Sequence, residues 1–293
     1  MQLFSKKGLP IDNRFIREHN QKFGAYKAKI DLYIEGAVVI ENKVKDFPSA
    51  EQMQRIKQAF EGKDVEFVLA TLFWFEELNF EDWKIITYRD ISGKINPERY
   101  TQDPYHLHLI NDYKSFLINL AELAEQLEIK HAYNFAIAFE TDIFRQLNSI
   151  KLWEGYQKMR ASHLLYHYKK HNIHDVKTGY SVNNQKATID FVVPITEGYN
   201  VGIQIENDQY RKFISGKNAA GFASALIQNE VFLNSAFQGR GKKPFLNYGE
   251  HFKYQYEVLE SVLTFDELFA RVNKDIAEIL KHKEAIKSLT FNC

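Results

Sequence analysis

Three ionisable side chains lie in two short apolar segments near the start of the chain: Asp31, Glu41 and Lys43. An ionisable group on an apolar strand costs free energy unless it is paired or binds a metal ion. Carboxylates are the hard oxygen ligands that Mg²⁺ prefers, and an amine beside them can orient a water molecule and stabilise a phosphoryl transition state. The backbone carbonyl of Asn42 is a further candidate ligand. This set predicts metal-dependent hydrolysis of a phosphodiester.

The spacing of these residues predicts a hairpin with a defined loop. Side chains alternate between the two faces of a strand, so Glu41 and Lys43 share a face. Asp31 joins them if a three-residue loop, 35–37, connects the strands, whereas a two-residue turn would put it on the wrong side. Gly36 can supply the positive φ that such loops need. We therefore expect a three-residue loop or an equivalent bulge.

The wider pattern predicts an α/β protein. Strand, strand, helix, strand, strand in residues 1–104 is typical of a mixed sheet flanked by helices. Residues 105–293 predict a helical region and then a second α/β lobe packed on this core. The expected strands are at about 28–34, 37–43, 65–72, 83–88, 186–193 and 199–206. The expected helices are at about 14–21, 110–127, 136–147 and 154–171, with another that starts within 46–49 and runs up to Gly62, and a last one opened by a capping-box match at Thr264 to Glu267.

Composition sets limits on the protein's setting and partners. The chain has 293 residues, of which 45% are apolar and 26% charged, as is ordinary for a globular protein. It has no apolar run long enough to span a membrane and no signal-peptide pattern, and its one cysteine is Cys293, so we expect a cytoplasmic protein. The formal net charge of zero counts mildly against nucleic acid as a partner, although a local groove can still be basic.

Three segments around this hairpin resemble the PD-(D/E)XK nuclease superfamily, and in particular its uncharacterised bacterial branch with an IENK-type strand motif. They are Ile30-Asp31-Leu32, Val39-Ile40-Glu41-Asn42-Lys43-Val44 and Gln52-Met53-Gln54-Arg55-Ile56. The resemblance is strong over about 29–60 and faint over most of the rest, with weaker matches at 87–91 and 202–206. It implies a restriction-endonuclease-like α/β core and hydrolysis, usually of DNA, that depends on Mg²⁺ or Mn²⁺.

Carried over residue by residue, the resemblance assigns roles at the hairpin. It makes Asp31 and Glu41 metal ligands, Lys43 the catalytic lysine, and Gln52 the helix residue that faces the site. Members of this branch usually have a longer N-terminal helix that contributes another acidic residue. Here only thirty residues precede Asp31, and Glu18 is the candidate for that role.

Asp190 and Glu206 echo the first hairpin, because each follows an isoleucine on a predicted strand. Asp208 stands where Lys43 stood, so the basic residue is absent, although Arg211 and Lys212 could partly compensate. We interpret these residues as similar strand chemistry or a decayed duplicate, and as a weak second site at most.

Four histidines share one face of a predicted helix and its end: His163, His167, His171 and His174. Two histidines four residues apart can bind Zn²⁺, so a metal-sensing role is one hypothesis. No cysteine or carboxylate on the stripe completes such a site, and a solvated histidine-rich face is favoured.

These observations support two main hypotheses. The first is a Mg²⁺-dependent nuclease that acts on DNA. The second is a catalytically inactive module that keeps the nuclease fold and binds nucleic acid or a protein partner. The sequence leaves the oligomeric state open, with a dimer among the possibilities.

Overall fold

The computed structural model describes residues 14–100, 103–126, 142–171, 173–183, 186–206, 209–233, 246–247, 250–259 and 264–290. The chain divides into two compact units, one of residues 1–128 and 141–159 and the other of residues 129–140 and 160–293. This division groups the helix that follows residue 103 with the first sheet, whereas the sequence predicts it as part of 105–293. Cys293 and the first part of the helix expected over 136–147 lie outside the described residues.

The first unit contains a mixed sheet, as predicted, and this sheet has five strands where the sequence predicts four. Its strands are β1 (Phe15–Phe23), β2 (Tyr26–Ile34), β3 (Val38–Lys43), β4 (Glu66–Thr71) and β5 (Trp83–Thr87), and they lie in that order. Strands β1 to β3 are antiparallel, and β3 to β5 are parallel. A parallel neighbour needs a crossover connection, which helix α1 (Ala50–Ala59) supplies between β3 and β4. Its N-cap is Ser49, whose hydroxyl accepts a hydrogen bond from the Gln52 N–H.

Helices and the two faces of this sheet form separate apolar clusters. On one face, Met53 and Ile56 of α1 pack with Val39 and Leu69 of the strands. The other face carries residues such as Ile40. The remaining helical elements described in this unit are α2 (Tyr88–Lys94), a short 3₁₀ helix (Pro97–Tyr100), α3 (Pro104–Glu125), α4 (Asp142–Ser149) and the first turns of α5 (Trp153–His171), which continues into the second unit.

Helix α5 approaches the segment after β3 at a glycine. A Cβ atom on Gly155 would lie 3.0 Å from the carbonyl carbon of Lys45 and 3.0 Å from Cε2 of Phe73. One turn further along, Nζ of Lys158 lies 2.7 Å from Oδ1 of Asp46. The close approach and the ion pair hold α5 against the segment that leaves β3.

The short helix expected over residues 14–21 is wrong, because this segment forms strand β1. It pairs along its length with β2 through a tight turn in which Gly24 has a φ of 57°. Ile16 and His19 pack on the same side of the sheet although they are three residues apart, because Glu18 between them has a φ of 48°. This interruption removes the two-residue alternation that would have indicated a strand.

The second unit contains a six-stranded sheet whose paired strands are all antiparallel. The strands are β6 (Lys177–Asn183), β7 (Lys186–Thr196), β8 (Tyr199–Glu206), β9 (Gln209–Ser215), β10 (Leu246–Asn247) and β11 (Phe252–Val258), in the order β10-β11-β9-β8-β7-β6. Helices α6 (Ala219–Gln228), α7 (Phe265–Lys281) and α8 (Lys283–Thr290) share the sheet's apolar core. The predicted capping box is confirmed, since Thr264 and Glu267 exchange both hydrogen bonds at the start of α7. Among the helices described, none combines the length and the apolar character that crossing a membrane requires.

Candidate functional site

The register of the β2–β3 hairpin matches the sequence-based expectation. The last pair before the loop is Ile34 with Val38, so residues 35–37 form a three-residue loop. Gly36 has a φ of 68°, the positive value expected at this position. The predicted three-residue loop is therefore confirmed. At the other end of the ladder the last pair is Leu32 with Ile40, and one further step in the same register brings Asp31 level with Glu41.

Strands β2 and β3 separate where the ionisable residues begin. Beyond the last ladder pair, Oδ2 of Asp31 accepts a hydrogen bond of 2.7 Å from the backbone N–H of Asn42. The carbonyl of Lys43 accepts from Leu72 on the β4 side, so the preceding carbonyl, that of Asn42, is directed to the β2 side. The Asp31 carboxylate and this carbonyl therefore flank the same opening between the strands.

Glu41 is the centre of a buried polar cluster. Its side chain is on β3, which is covered here by α1, and the residue is only 3% exposed. Its Oε1 atom lies 2.9 Å from Nζ of Lys43 and accepts a hydrogen bond of 2.8 Å from Nε2 of Gln52. Its Oε2 atom is buried and has no hydrogen-bond partner among the described residues. One carboxylate oxygen thus has two donors, and the other has none.

Electrostatics at Glu41 favour a cation. Burial raises the pKa of Glu41, and the nearby charge of Asp31 also raises it, while Lys43 and Gln52 act in the opposite direction. The net shift is upward, so the ionised carboxylate is less stable here than in water. A positive charge beside Oε2 would offset this cost.

Tyr88, the first residue of α2, supports the strand from the other face of the sheet. Its hydroxyl donates a hydrogen bond of 2.7 Å to Oδ1 of Asn42. Burial raises the pKa of Tyr88 to about 12, so the hydroxyl remains a donor at neutral pH. Sequence reasoning did not assign Tyr88 a role. The segment 87–91 is only one of the weaker matches to the nuclease branch.

Glu18 lies on β1 and not on a helix. Its neighbours in the ladder place it level with Asp31 across β1 and β2. Its carboxylate is exposed and forms an ion pair of 2.8 Å with Nζ of Lys29. The acidic residue therefore reaches the row of Asp31 along a strand, and a lysine already neutralises it.

The second acidic pair is engaged by an arginine. Asp190 accepts a hydrogen bond of 2.8 Å from Gln204, which in turn accepts one of 2.9 Å from Arg211. Arg211 also donates to both carboxylate oxygens of Glu206, at 2.9 and 2.6 Å. The guanidinium carbon lies 4.4 Å from the centroid of the Tyr254 ring. Both Glu206 oxygens are therefore neutralised within the sheet.

Two of the four histidines are buried. His163 is 2% exposed and His167 is 7% exposed, and their Nε2 atoms lie 2.9 Å apart. Both rings have centroids 6.1 Å from that of Phe265 on α7. The expected solvated histidine face is therefore wrong for these two residues, although His171 is exposed. Zinc sensing by the stripe stays a prediction.

Of the residues predicted for the first site, the structure joins Glu41, Lys43 and Gln52 directly and links Asp31 to them through the Asn42 backbone. Glu18 is held by Lys29 instead. No protein-family model, no curated protein and no solved structure matches this chain. What the site does is therefore inferred from its geometry.

Proposed function

We propose that the first unit is a Mg²⁺-dependent nuclease that hydrolyses phosphodiester bonds of DNA. The observation that carries this proposal is the uneven environment of the Glu41 carboxylate. Oε1 accepts from Lys43 and Gln52, while Oε2 is buried without a partner among the described residues. A buried carboxylate oxygen with no donor is costly, and a bound cation would satisfy it.

The arrangement of strands supports a restriction-endonuclease-like core. Three antiparallel strands are followed by helix α1 and by the parallel strands β4 and β5. This is the mixed sheet with helical cover that the resemblance implies. The candidate residues lie where β2 and β3 separate, beside the start of α1.

The residues present fit a Mg²⁺ or Mn²⁺ ion. Asp31, Oε2 of Glu41 and the carbonyl of Asn42 would hold it, and all three supply the oxygen ligands that these ions prefer. When bound, such an ion polarises a phosphate oxygen and lowers the pKa of a water molecule.

Lys43 is the group of this chain that would act on the reacting atoms. Its ammonium is held beside Glu41 at 2.9 Å, and the residue is 9% exposed. In this position it orients the attacking water and stabilises negative charge on the phosphoryl oxygens. Hydrolysis adds the water oxygen to phosphorus and breaks one phosphorus–oxygen ester bond. One proton of the attacking water ends on the departing oxygen. Gln52 is a positioning residue, because it acts through Glu41.

A cleavage assay with plasmid and linear DNA tests the proposal. Wild-type protein with Mg²⁺ or Mn²⁺ is expected to cut, and Lys43→Ala is expected to lose this activity while remaining folded, which a cooperative thermal unfolding transition checks. Lys45→Ala is the matched control, because Lys45 is an exposed lysine just beyond the strand. Full cleavage by the Lys43 variant would defeat the assignment.

The inactive binding module remains the second candidate. It is favoured by the formal net charge of zero and by the ion pair with Glu41, which already satisfies the lysine. This candidate predicts DNA or protein binding that is the same in wild type and in Lys43→Ala, with no cleavage by either under any divalent cation.

A further inference from the structure

A cavity of about 460 Å³ lies in the first unit at the ends of strands β4 and β5. Its lining comes from the residues that follow β4, the start of α2, the last turns of α3 and one residue of α5: Leu72, Phe73, Trp74, Thr87, Tyr88, Arg89, Ala121, Ala124, Glu125 and Met159. Its size falls within the range of pockets that bind small organic molecules. Its lining does not include Asp31, Glu41, Asn42, Lys43 or Gln52.

The chemistry of the lining suits a flat heteroaromatic ring. Phe73 and Met159 are buried apolar residues of the lining, whereas Trp74, which also lines the cavity, is 42% exposed. Arg89 and Glu125 form a two-pronged ion pair with distances of 3.0 and 2.7 Å. The cavity thus combines an aromatic residue, Trp74, with an apolar lining beside an ion pair whose two members bind each other.

Two features connect the cavity to the candidate site. Tyr88 lines the cavity, and its hydroxyl donates to Asn42, whose N–H donates to Asp31. The ends of β3, β4 and β5 are also in register, since Lys43 pairs with Thr71 and Thr71 pairs with Thr87. Ligands of open α/β sheets bind at the carboxyl ends of the parallel strands. Two strand spacings, about 10 Å, separate β3 from β5.

We propose that this cavity receives one unstacked nucleobase of a single-stranded stretch of the substrate, with the base stacked on Trp74. This inference rests on the proposed nuclease function, because the base in the cavity belongs to the DNA strand whose phosphate would lie at Lys43. A base of an unstacked strand is free to enter the cavity, whereas a base within a duplex is not available to do so. The preferred substrate is therefore DNA with a single-stranded segment.

Binding without a divalent cation tests the cavity separately from catalysis. The probe is a short thymidine oligonucleotide with a terminal fluorophore, followed by anisotropy in the presence of a chelator. Trp74→Ala is expected to weaken binding about tenfold or more, which is the usual effect of losing one stacked base. Ala124→Met, which fills the cavity from α3, is expected to weaken binding similarly while leaving the indole in place.

The matched control is Tyr105→Ala. Tyr105 is an exposed aromatic residue of the same unit, but it lies sixteen or more residues along α3 from the cavity-lining positions 121–125, about 24 Å away. It is expected to bind like wild type, and a duplex of the same length is expected to bind without dependence on Trp74. Thermal unfolding confirms that each variant is folded.

The outcomes separate the two proposals. Equal binding by the Trp74 and Tyr105 variants, no binding of the oligonucleotide by wild type, or the same Trp74 dependence for duplex and single strand would each overturn the inference. If wild type cleaves DNA and Trp74→Ala binds the oligonucleotide as wild type does, the nucleobase site is refuted and the proposed nuclease function is not. Loss of binding in Trp74→Ala, with no cleavage by wild type, supports the nucleobase site and counts against the nuclease.

Discussion

Two hairpins of this protein begin from similar sequences and end with opposite electrostatic arrangements. In the first, β2 and β3 separate at the acidic residues, and one oxygen of Glu41 has no donor among the described residues. In the second, the β7–β8 ladder continues through Asp190 and Glu206, and Arg211 binds both Glu206 oxygens. An isoleucine followed by a carboxylate on a strand therefore does not define a site by itself.

The difference lies in where each carboxylate finds its positive partner. Lys43 offers Glu41 one contact from a point charge, whereas Arg211 has a planar fork that matches both oxygens of a carboxylate. The first arrangement leaves capacity for a further cation, and the second leaves none. The four predictions below test this contrast.

The largest effect is expected on catalysis. Glu41→Gln keeps an acceptor oxygen for Lys43 and Gln52 but removes the charge, so DNA cleavage is expected to fall on the order of 100-fold or more. Glu206→Gln, the equivalent change in the second hairpin, is expected to cleave at the wild-type rate. Initial rates on plasmid DNA measure both. Equal losses in the two variants would contradict the contrast.

Next in size is the cost of removing the arginine from the second hairpin. Arg211→Met leaves Glu206 without its buried partner and is expected to lower the free energy of unfolding by about 3 kcal/mol. Adding Glu206→Gln is expected to restore part of the loss. Arg145→Met, which breaks the exposed ion pair with Asp142, serves as the control and is expected to change little. Urea unfolding followed by circular dichroism gives these values.

A smaller effect is expected from divalent cations alone. Mg²⁺ or Mn²⁺ at tenfold excess over its Kd stabilises a folded protein by about 1.4 kcal/mol. We expect a corresponding rise in the melting temperature of the wild type and of Glu206→Gln, and no rise for Glu41→Gln. A rise in all three proteins would place the cation elsewhere.

The smallest effect is on the dependence of stability on pH. Burial raises the pKa of Glu41 above 4.5 and that of Asp190 above 3.8. The folded protein then holds these protons more tightly than the unfolded chain does. The free energy of unfolding therefore falls as pH rises from the pKa of each carboxyl in the unfolded chain to its higher pKa in the folded protein, and it stays lower above that pH. Glu41→Gln and Asp190→Asn are each expected to flatten part of this fall. Divalent cations are expected to offset only the Glu41 part, and unfolding at a series of pH values checks this.

Local patterns in the sequence were sufficient to predict the arrangement of the first hairpin. The three-residue loop follows from Gly36 and the alternation of side chains, and the contact of Gln52 with Glu41 follows from a helix that begins soon after β3. These features depend on residues close together in the chain. Helix α7 was predictable for the same reason, since its capping box is local.

The remaining features depend on distant partners. Strand β1 lacks a regular alternation because of the positive φ of Glu18, and only its ladder with β2 shows it to be a strand. The burial of His163 and His167 depends on Phe265, about a hundred residues further along. The hydrogen bond from Tyr88 to Asn42 likewise joins two residues that lie 46 positions apart in the chain, which local pattern cannot relate.

The absence of a side chain at Gly155 has a consequence for the segment that follows Lys43. Even a methyl group there would meet a backbone carbon of Lys45, which cannot rotate away as a flexible side chain could. Alanine normally favours a helix over glycine, yet here it would force the helix away from the polypeptide that leaves Lys43. A position more than a hundred residues from Lys43 thus limits how closely α5 packs on the segment that follows this lysine.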